Sequence, residues 1–320
     1  MFYKVVVTDY NYPNLEEEEE VFKGTNIEIF DANGKCRTED DVLALTRDAD
    51  AIITQFVPIT RNIIKELMKC KIIVRYAIGV DNIDVAAATE YRIMVANVPE
   101  YCTEEVSLHA LALMLDLLRK VTLMDREAKS GKWSYKGAIP IFRISKHIVG
   151  LIAFGKIARS FAAKALNLGF RVLVYDPYFM DRDLYPSYEF VSLEELLQKS
   201  DVISVHAPLT DETRHLLSEK AFALMKQGTF IINTSRGSII DEEALVKAVK
   251  SGGIAGAALD VLSDEKNIIG NPLLNMENVI LTPHMAWYSV DSIKELQRKA
   301  AEQVRQALLE GRPENLLNLF

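Results

Sequence analysis

The chain has 320 residues, 49% of them hydrophobic and 26% charged, with a mean hydropathy of +0.05. Disordered and collagen-like classes are excluded, and the length predicts about two domains. The first fifty residues hold 5 basic and 13 acidic side chains, which is the whole net charge of −8, so the other 270 are neutral.

A chain with a pI near 5.3 lacks the basic stripe that nucleic acid or an anionic membrane surface requires, so neither is an expected partner. Cys36, Cys70 and Cys102 are odd in number and show no CxxC or metal-ligand spacing, which predicts a reducing, cytoplasmic setting and no metal. The N-terminus opens on a strand-like Tyr3–Thr8 and lacks the pattern of an export signal.

In chain order, β-branched runs predict strands at Lys4–Thr8, Ile27–Phe30, Ala51–Thr54 and Ile72–Arg75. Glu16–Glu20, after the first of them, reads as a solvated helix face. Pro99 forces an extended entry to an apolar helix from about Thr103 to Lys120, too short to cross a bilayer. On it, His109 reads as core. A second series of strands follows at Ile148–Phe154, Arg171–Tyr175, Val202–His206, Phe230–Asn233, Ile254–Asp260 and Val279–Leu281, with helices at Ser192–Lys199 and Glu242–Ser251. Strands apolar on both faces, separated by helices, are the pattern of helix-covered parallel sheets. The fold class is therefore α/β, with two doubly wound parallel-sheet domains dividing near Asn97–Pro99.

Three features carry chemistry. Gly150-Leu-Ile-Ala-Phe-Gly-Lys-Ile-Ala158 follows a strand and opens a helix, with Ala153, Gly155 and Ala158 at the three glycine positions of a dinucleotide fingerprint. Asp176 ends the next strand about 20 residues later, where an acid accepts from a ribose 2′-hydroxyl and repels a 2′-phosphate. This predicts NAD (NADH) and disfavours NADP. Further on, Arg236, Glu265 and His284 all lie just after predicted strands, where open α/β sheets place their ligands. An arginine fork suits a carboxylate or carbonyl, a histidine exchanges a proton near neutral pH, and a carboxylate beside it holds the ring.

The motifs Arg75–Asp84, Gly150–Ala158, Tyr175-Asp-Pro177, His206–Thr210, Asn233–Gly237, Ala257–Asp260 and Thr282-Pro-His284, read together, resemble those of the D-isomer-specific 2-hydroxyacid dehydrogenases from about Val5 to Pro313. Tyr175–Tyr178 and Thr282–Ser289 look most like the C-terminal-binding-protein branch. The resemblance implies two Rossmann/flavodoxin-like domains with a cleft between them. Residues 1–99 with 287–320, including a terminal helix from about Trp287 to Phe320, would form the substrate-binding (catalytic) domain. Residues 100–286 would form the NAD-binding domain, with an arm at about 101–140 making a homodimer.

The resemblance further implies that Arg236, Glu265 and His284 are catalytic. It implies cofactor contacts from Phe154, Gly155, Lys156, Ile157, Asp176, His206, Ala207, Pro208, Thr213, Asn233, Thr234, Ser235, Arg236, Asp260 and His284. Substrate contacts would come from Ala77, Ile78, Gly79, Arg236 and Trp287, with main-chain N–H groups around Ile78 and Gly79 holding the substrate carboxylate. The implied reaction interconverts a D-2-hydroxy acid and a 2-keto acid by hydride transfer. Animal members of the named branch are NAD(H)-responsive corepressors, so the alternative is an NAD(H)-sensing binding protein with little turnover.

Some positions depart from the family pattern. Ala153 and Ala158 replace fingerprint glycines, Ala77 stands where glycine is frequent, and Lys266 replaces a proline after Glu265, which predicts a less rigid loop. Thr54–Val57 lacks the arginine that phosphoglycerate-oxidising relatives use for a phosphate, and Glu265 stands where formate-oxidising relatives carry glutamine. His147 reads as a surface residue, and His215 has no partner pattern.

Overall fold

Within each sheet of the protein, a computed structural model describing residues 2–320, every strand runs parallel to its neighbours. The chain divides into two units, Met1–Tyr101 with Ser289–Phe320, and Cys102–Tyr288.

The first unit contains β1 (Tyr3–Val7), α1 (Glu16–Phe22), β2 (Ile27–Asp31), α2 (Glu39–Thr46), β3 (Ala51–Thr54), α3 (Arg61–Ile64), β4 (Ile72–Arg75), α4 (Val85–Glu90) and β5 (Met94–Ala96). Its strand order is β2-β1-β3-β4-β5, which reverses between β1 and β3. Central strands carry wholly buried Ile52, Ile53, Ile72 and Ile73. The edge strand β2 differs from the expectation of two apolar faces, because only Ile27 in it is buried. Three-residue β5 is too short to show a period and was not expected from the sequence.

Two expectations in this unit are corrected. The terminal helix, α11, spans Val290–Arg305, begins at a Ser289–Ser292 capping box and buries Leu296, Ala300, Ala301 and Val304. It does not run to Phe320. After one π turn at Gln306–Glu310, Gly311 turns left-handed, and the tail pairs Leu316 with Ala96 while Asn318 Oδ1 accepts the Val95 N–H at 2.8 Å. The glutamate run is likewise not uniformly solvated: Glu18 of α1 is fully buried.

The second unit contains α5 (Thr103–Arg119), α6 (Val121–Lys129), β6 (Ile148–Ile152), α7 (Lys156–Asn167), β7 (Arg171–Tyr175), β8 (Glu189–Phe190), α8 (Leu193–Lys199), β9 (Val202–Val205), α9 (Glu219–Leu224), β10 (Thr229–Asn233), α10 (Glu242–Lys250), β11 (Ile254–Leu259) and β12 (Val279–Leu281). The order β12-β11-β10-β9-β6-β7-β8 reverses between β6 and β9, the topological switch point at which such sheets bind ligands. Helices α5 and α7 cover one face around Met114, Phe161 and Val174; α8 to α10 cover the other around Leu196, Leu245 and Ile231.

Gly150 is required by packing, since a Cβ there would lie 2.3 Å from Ser200 Oγ and 2.7 Å from Leu196 of α8. Lys120, left-handed at φ +55, separates α5 from α6, and α6 buries no side chain. Trp133, Tyr135, Ile139 and Phe142 beyond it are exposed. His147 is buried, not on the surface, with Nδ1 3.0 Å from the Arg143 carbonyl. No helix among the described residues is long and apolar enough to cross a membrane.

Candidate active site

In the second unit, the β6–α7 turn carries Ala153, Phe154 and Gly155. Ala153 has φ +74, a conformation that glycine adopts without strain and a residue with Cβ does not. Phe154 anchors the turn from beneath, fully buried with its ring edge-on to Phe179, Tyr185, Tyr188 and Phe190. Gly155 is the N-cap of α7 and offers no side-chain cap; a Cβ on it would meet nothing within 4 Å. The fold's packing therefore does not demand glycine there, whereas a close approach by a phosphate group would. Asp176 Oδ2 accepts the Phe154 N–H at 2.8 Å, and its Oδ1 accepts those of Tyr178 (2.9 Å) and Phe179 (3.1 Å). Lys156 and Ile157 begin α7.

Across the switch point, β9 is followed by His206, Ala207 and Pro208. The His206 ring lies on Phe161, its Nε2 is 2.9 Å from Ser204 Oγ, and burial pushes the imidazole down to about 4, so it is neutral at physiological pH. Thr213 closes the following turn, donating to the Pro208 carbonyl at 2.6 Å. After β10, Asn233 Oδ1 accepts from Ser235, and Asn233 Nδ2 donates to the Arg236 carbonyl at 2.9 Å. Thr234 Oγ1 is buried with no hydrogen-bond partner among the described residues, an orphan that a bound group would satisfy. The bare Gly155 and the orphaned Thr234 hydroxyl both fit a dinucleotide at the carboxyl edge of this sheet.

The catalytic candidates lie on three adjacent strand ends. Gly237, next to Arg236, has no room for a side chain, because a Cβ would fall 2.0 Å from the Leu262 backbone. The Arg236 turn thereby presses on the chain three residues before Glu265. His284 Nδ1–H donates to Glu265 Oε2 at 2.8 Å, which leaves Nε2 as the ring's other proton-exchanging atom. The His284 carbonyl accepts the Trp287 indole N–H at 2.8 Å. Lys266 stands in this loop where the family pattern has proline. Its N–H, which proline lacks, donates to Asp264 Oδ1 at 3.1 Å, as does that of Asn267. Glu242 ties down the same loop by accepting from the Ser263 amide and from Asn271.

Asp260 is buried, its side chain 1% exposed, with its oxygens engaged by Thr282, Met285 and Ala286. His109, read as core, is instead a polar neighbour of that group, 3.0 Å from Thr282 Oγ1. Only contact across more than a hundred residues reveals this, and nothing in the spacing of α5 signals it.

In the first unit, the loop after β4 holds Ala77, Ile78 and Gly79. Their carbonyls accept from Val98 N–H (3.0 Å), Asn97 Nδ2 (2.5 Å) and the Arg75 guanidinium (3.0 Å), respectively. The N–H groups of Ile78 and Gly79 donate to no acceptor among the described residues. All three carbonyls are tied back, so the loop presents donors, an arrangement suited to a carboxylate. After β3 the opposite holds: Asp9 occupies the amides of Gln55 (3.1 Å), Phe56 (2.7 Å) and Val57 (3.2 Å) with the chain's own anion.

Residues 111–286 match the family model "D-isomer specific 2-hydroxyacid dehydrogenase, NAD binding domain". The chain is 36% identical over 287 residues to a glyoxylate reductase of Korarchaeum cryptofilum, covering 87% of this chain and 85% of that protein. It is 35% identical over 324 residues to a D-3-phosphoglycerate dehydrogenase of Methanocaldococcus jannaschii, of whose length it spans 59%. Among solved structures, a D-lactate dehydrogenase from Aquifex aeolicus complexed with NAD and lactic acid superposes with a TM-score of 0.85 at 27% identity, over 97% of this chain and 98% of that one.

Proposed function

Because this chain belongs to the D-isomer-specific 2-hydroxyacid dehydrogenase family, a family of NAD-dependent enzymes, we propose that it reduces a small 2-keto acid to the D-2-hydroxy acid, and catalyses the reverse, with His284, Glu265 and Arg236 as its catalytic residues. The observation that carries this reading is the His284–Glu265 pair at 2.8 Å, after strands of the same sheet that carries the bare Gly155 turn and the orphaned Thr234 hydroxyl. Bound NAD(H) would supply or accept the hydride at its nicotinamide ring.

The chain's own residues do the rest. Glu265 holds Nδ1–H, so His284 Nε2 gives a proton to the substrate C2 oxygen in reduction and takes it in oxidation. Arg236 polarises that oxygen and grips the carboxylate, stabilising charge that develops in the transition state. The amides of Ile78 and Gly79 hold the carboxylate, Ala77 and Trp287 line the substrate, and Asn233 to Arg236 with Asp260 border the nicotinamide. Phe154, Gly155, Lys156 and Ile157 cradle the pyrophosphate, while His206, Ala207, Pro208 and Thr213 flank the adenosine. Asp176 retains lone-pair capacity beyond its three amide bonds and takes the ribose 2′-hydroxyl, favouring NADH over NADPH.

A keto acid without a phosphate fits best, since Asp9 already fills the amides of Gln55 to Val57. The exposed Trp133, Tyr135, Ile139 and Phe142 of the arm support a homodimer.

The test is NADH and NADPH oxidation against pyruvate, glyoxylate, hydroxypyruvate, and branched and aromatic keto acids. The expected result is NADH-dependent turnover with at least one of them. Tight NADH binding with no turnover on any would overturn the enzyme reading in favour of an NAD(H)-sensing binding protein.

A further inference from the structure

His284 projects from a turn that its own backbone preferences oppose: its φ is +50, in the left-handed region that a residue with a Cβ seldom adopts. Asp260 holds the turn there. Its carbonyl accepts the His284 N–H at 2.9 Å, Oδ1 accepts the Met285 N–H at 3.0 Å, and Oδ2 accepts the Ala286 N–H at 2.9 Å. Three consecutive amides are thus fixed by one residue with a buried side chain.

That carboxylate is itself oriented from behind. Thr282 Oγ1–H donates to Asp260 Oδ1 at 2.5 Å. With its proton so engaged, the hydroxyl accepts from His109 Nε2–H at 3.0 Å, and the imidazole stands 3.6 Å from Asp260 Oδ1. A continuous path therefore runs from α5 through His109, Thr282 and Asp260 to the backbone of the His284 turn.

We infer that His109 and Thr282 are positioning residues for His284, acting through Asp260. The inference rests on the reading of His284 as the proton-exchanging residue. Neither side chain hydrogen-bonds to the His284 ring; both fix the carboxylate that keeps the turn left-handed and the imidazole on Glu265. Without them only the Met285 and Ala286 amides hold the carboxylate, its orientation is less tightly fixed, and the turn and the ring on Glu265 shift with it.

The experiment compares Thr282→Val, Thr282→Ser, His109→Leu, His109→Gln and His284→Ala in steady-state NADH oxidation with the best keto acid, together with NADH binding by fluorescence. In parallel, the imidazole ¹⁵N signals of the cofactor-free protein are recorded, with the His284 Nδ1 signal assigned by its loss in His284→Ala. Thr282→Val and His109→Leu are expected to lower kcat roughly tenfold to a hundredfold, to leave the KM and Kd for NADH within about twofold, and to move the His284 Nδ1 signal. Thr282→Ser and His109→Gln, which keep the hydroxyl and an N–H donor, are expected to restore most of the kcat and the wild-type signal.

Wild-type kcat and signal in Thr282→Val and His109→Leu would overturn the inference while His284→Ala remained inactive, and the catalytic reading would stand. Loss of kcat accompanied by loss of NADH affinity, or undiminished in the Ser and Gln variants, would also overturn it. An active His284→Ala would overturn both.

Discussion

At Ala153 the chain carries a methyl group where φ is +74. The left-handed conformation costs a residue with a Cβ about 1–2 kcal/mol, and glycine returns about 0.4–1 kcal/mol of that through its freer unfolded chain. Ala153→Gly is therefore expected to raise stability by up to about 1 kcal/mol, seen as a higher denaturant midpoint, with the KM for NADH unchanged or lower. A lower midpoint would show that the methyl is packed favourably. At Asp264 the relevant substitution is to alanine. Hydrogen bonds from Asn267 and Lys266 hold this exposed carboxyl below the usual carboxylate range and close the turn that presents Glu265. Asp264→Ala should lower kcat several-fold, roughly 3 to 10, whereas Lys266→Ala, which keeps the N–H, should be silent. Equal effects of the two would assign the loop's order to the lysine side chain.

Among the helices, α1 shows how one face of an acidic run can be buried. Glu18 accepts from the Tyr76 hydroxyl and from Gln297 Nε2 of α11 at 2.9 Å. Burial raises its carboxyl above the ordinary value despite these bonds. Its proton is thus held more tightly in the folded than in the unfolded chain, so the stabilisation is complete below the unfolded value and is lost as pH rises through the folded one. Glu18→Gln, which has no charge to bury, should gain apparent Tm relative to wild type between pH 4.5 and 7; a pH-independent difference would contradict this.

The same helix marks what the sequence can and cannot reveal. Central strands, buried on both faces, appear as unbroken runs such as Ala51–Thr54 and Ile72–Arg75 and are found with their observed bounds. The short edge strands β5 and β8 have too few residues for any pattern. Glu18, His109 and Asp9 take their roles from partners 45 or more residues away, and no local period encodes those. The candidate site's residues follow strand ends, where a motif and a topological position coincide; this is why Gly155, Asp176, Arg236, Glu265 and His284 are legible as candidates in the sequence.

Over the whole molecule, the acidic excess lies in the first unit, in α1 and in the Glu39–Asp50 region, while the Ile78 and Gly79 amides of the same unit meet no acceptor among the described residues. A negative chain can therefore still grip an anion locally. The second unit carries its own acid sensitivity. His206, pushed down to about 4, contributes stability that is fully present above its unfolded value near 6.5 and is lost as pH falls towards 4. That loss is up to about 3 kcal/mol. His206→Gln should flatten the fall in apparent Tm between pH 7 and 4.5, and an unchanged slope would place the sensitivity elsewhere. Under the proposed dimer, Trp133→Glu with Phe142→Glu should give a monomer by sedimentation velocity, whereas a wild type that is already monomeric at micromolar concentration would remove the arm's proposed role. The most direct test of the catalytic assignment is single-turnover NADH oxidation by His284→Ala, with NADH binding measured on the same sample. The account predicts a rate lowered by orders of magnitude with NADH affinity retained; a rate near that of the wild type would contradict it.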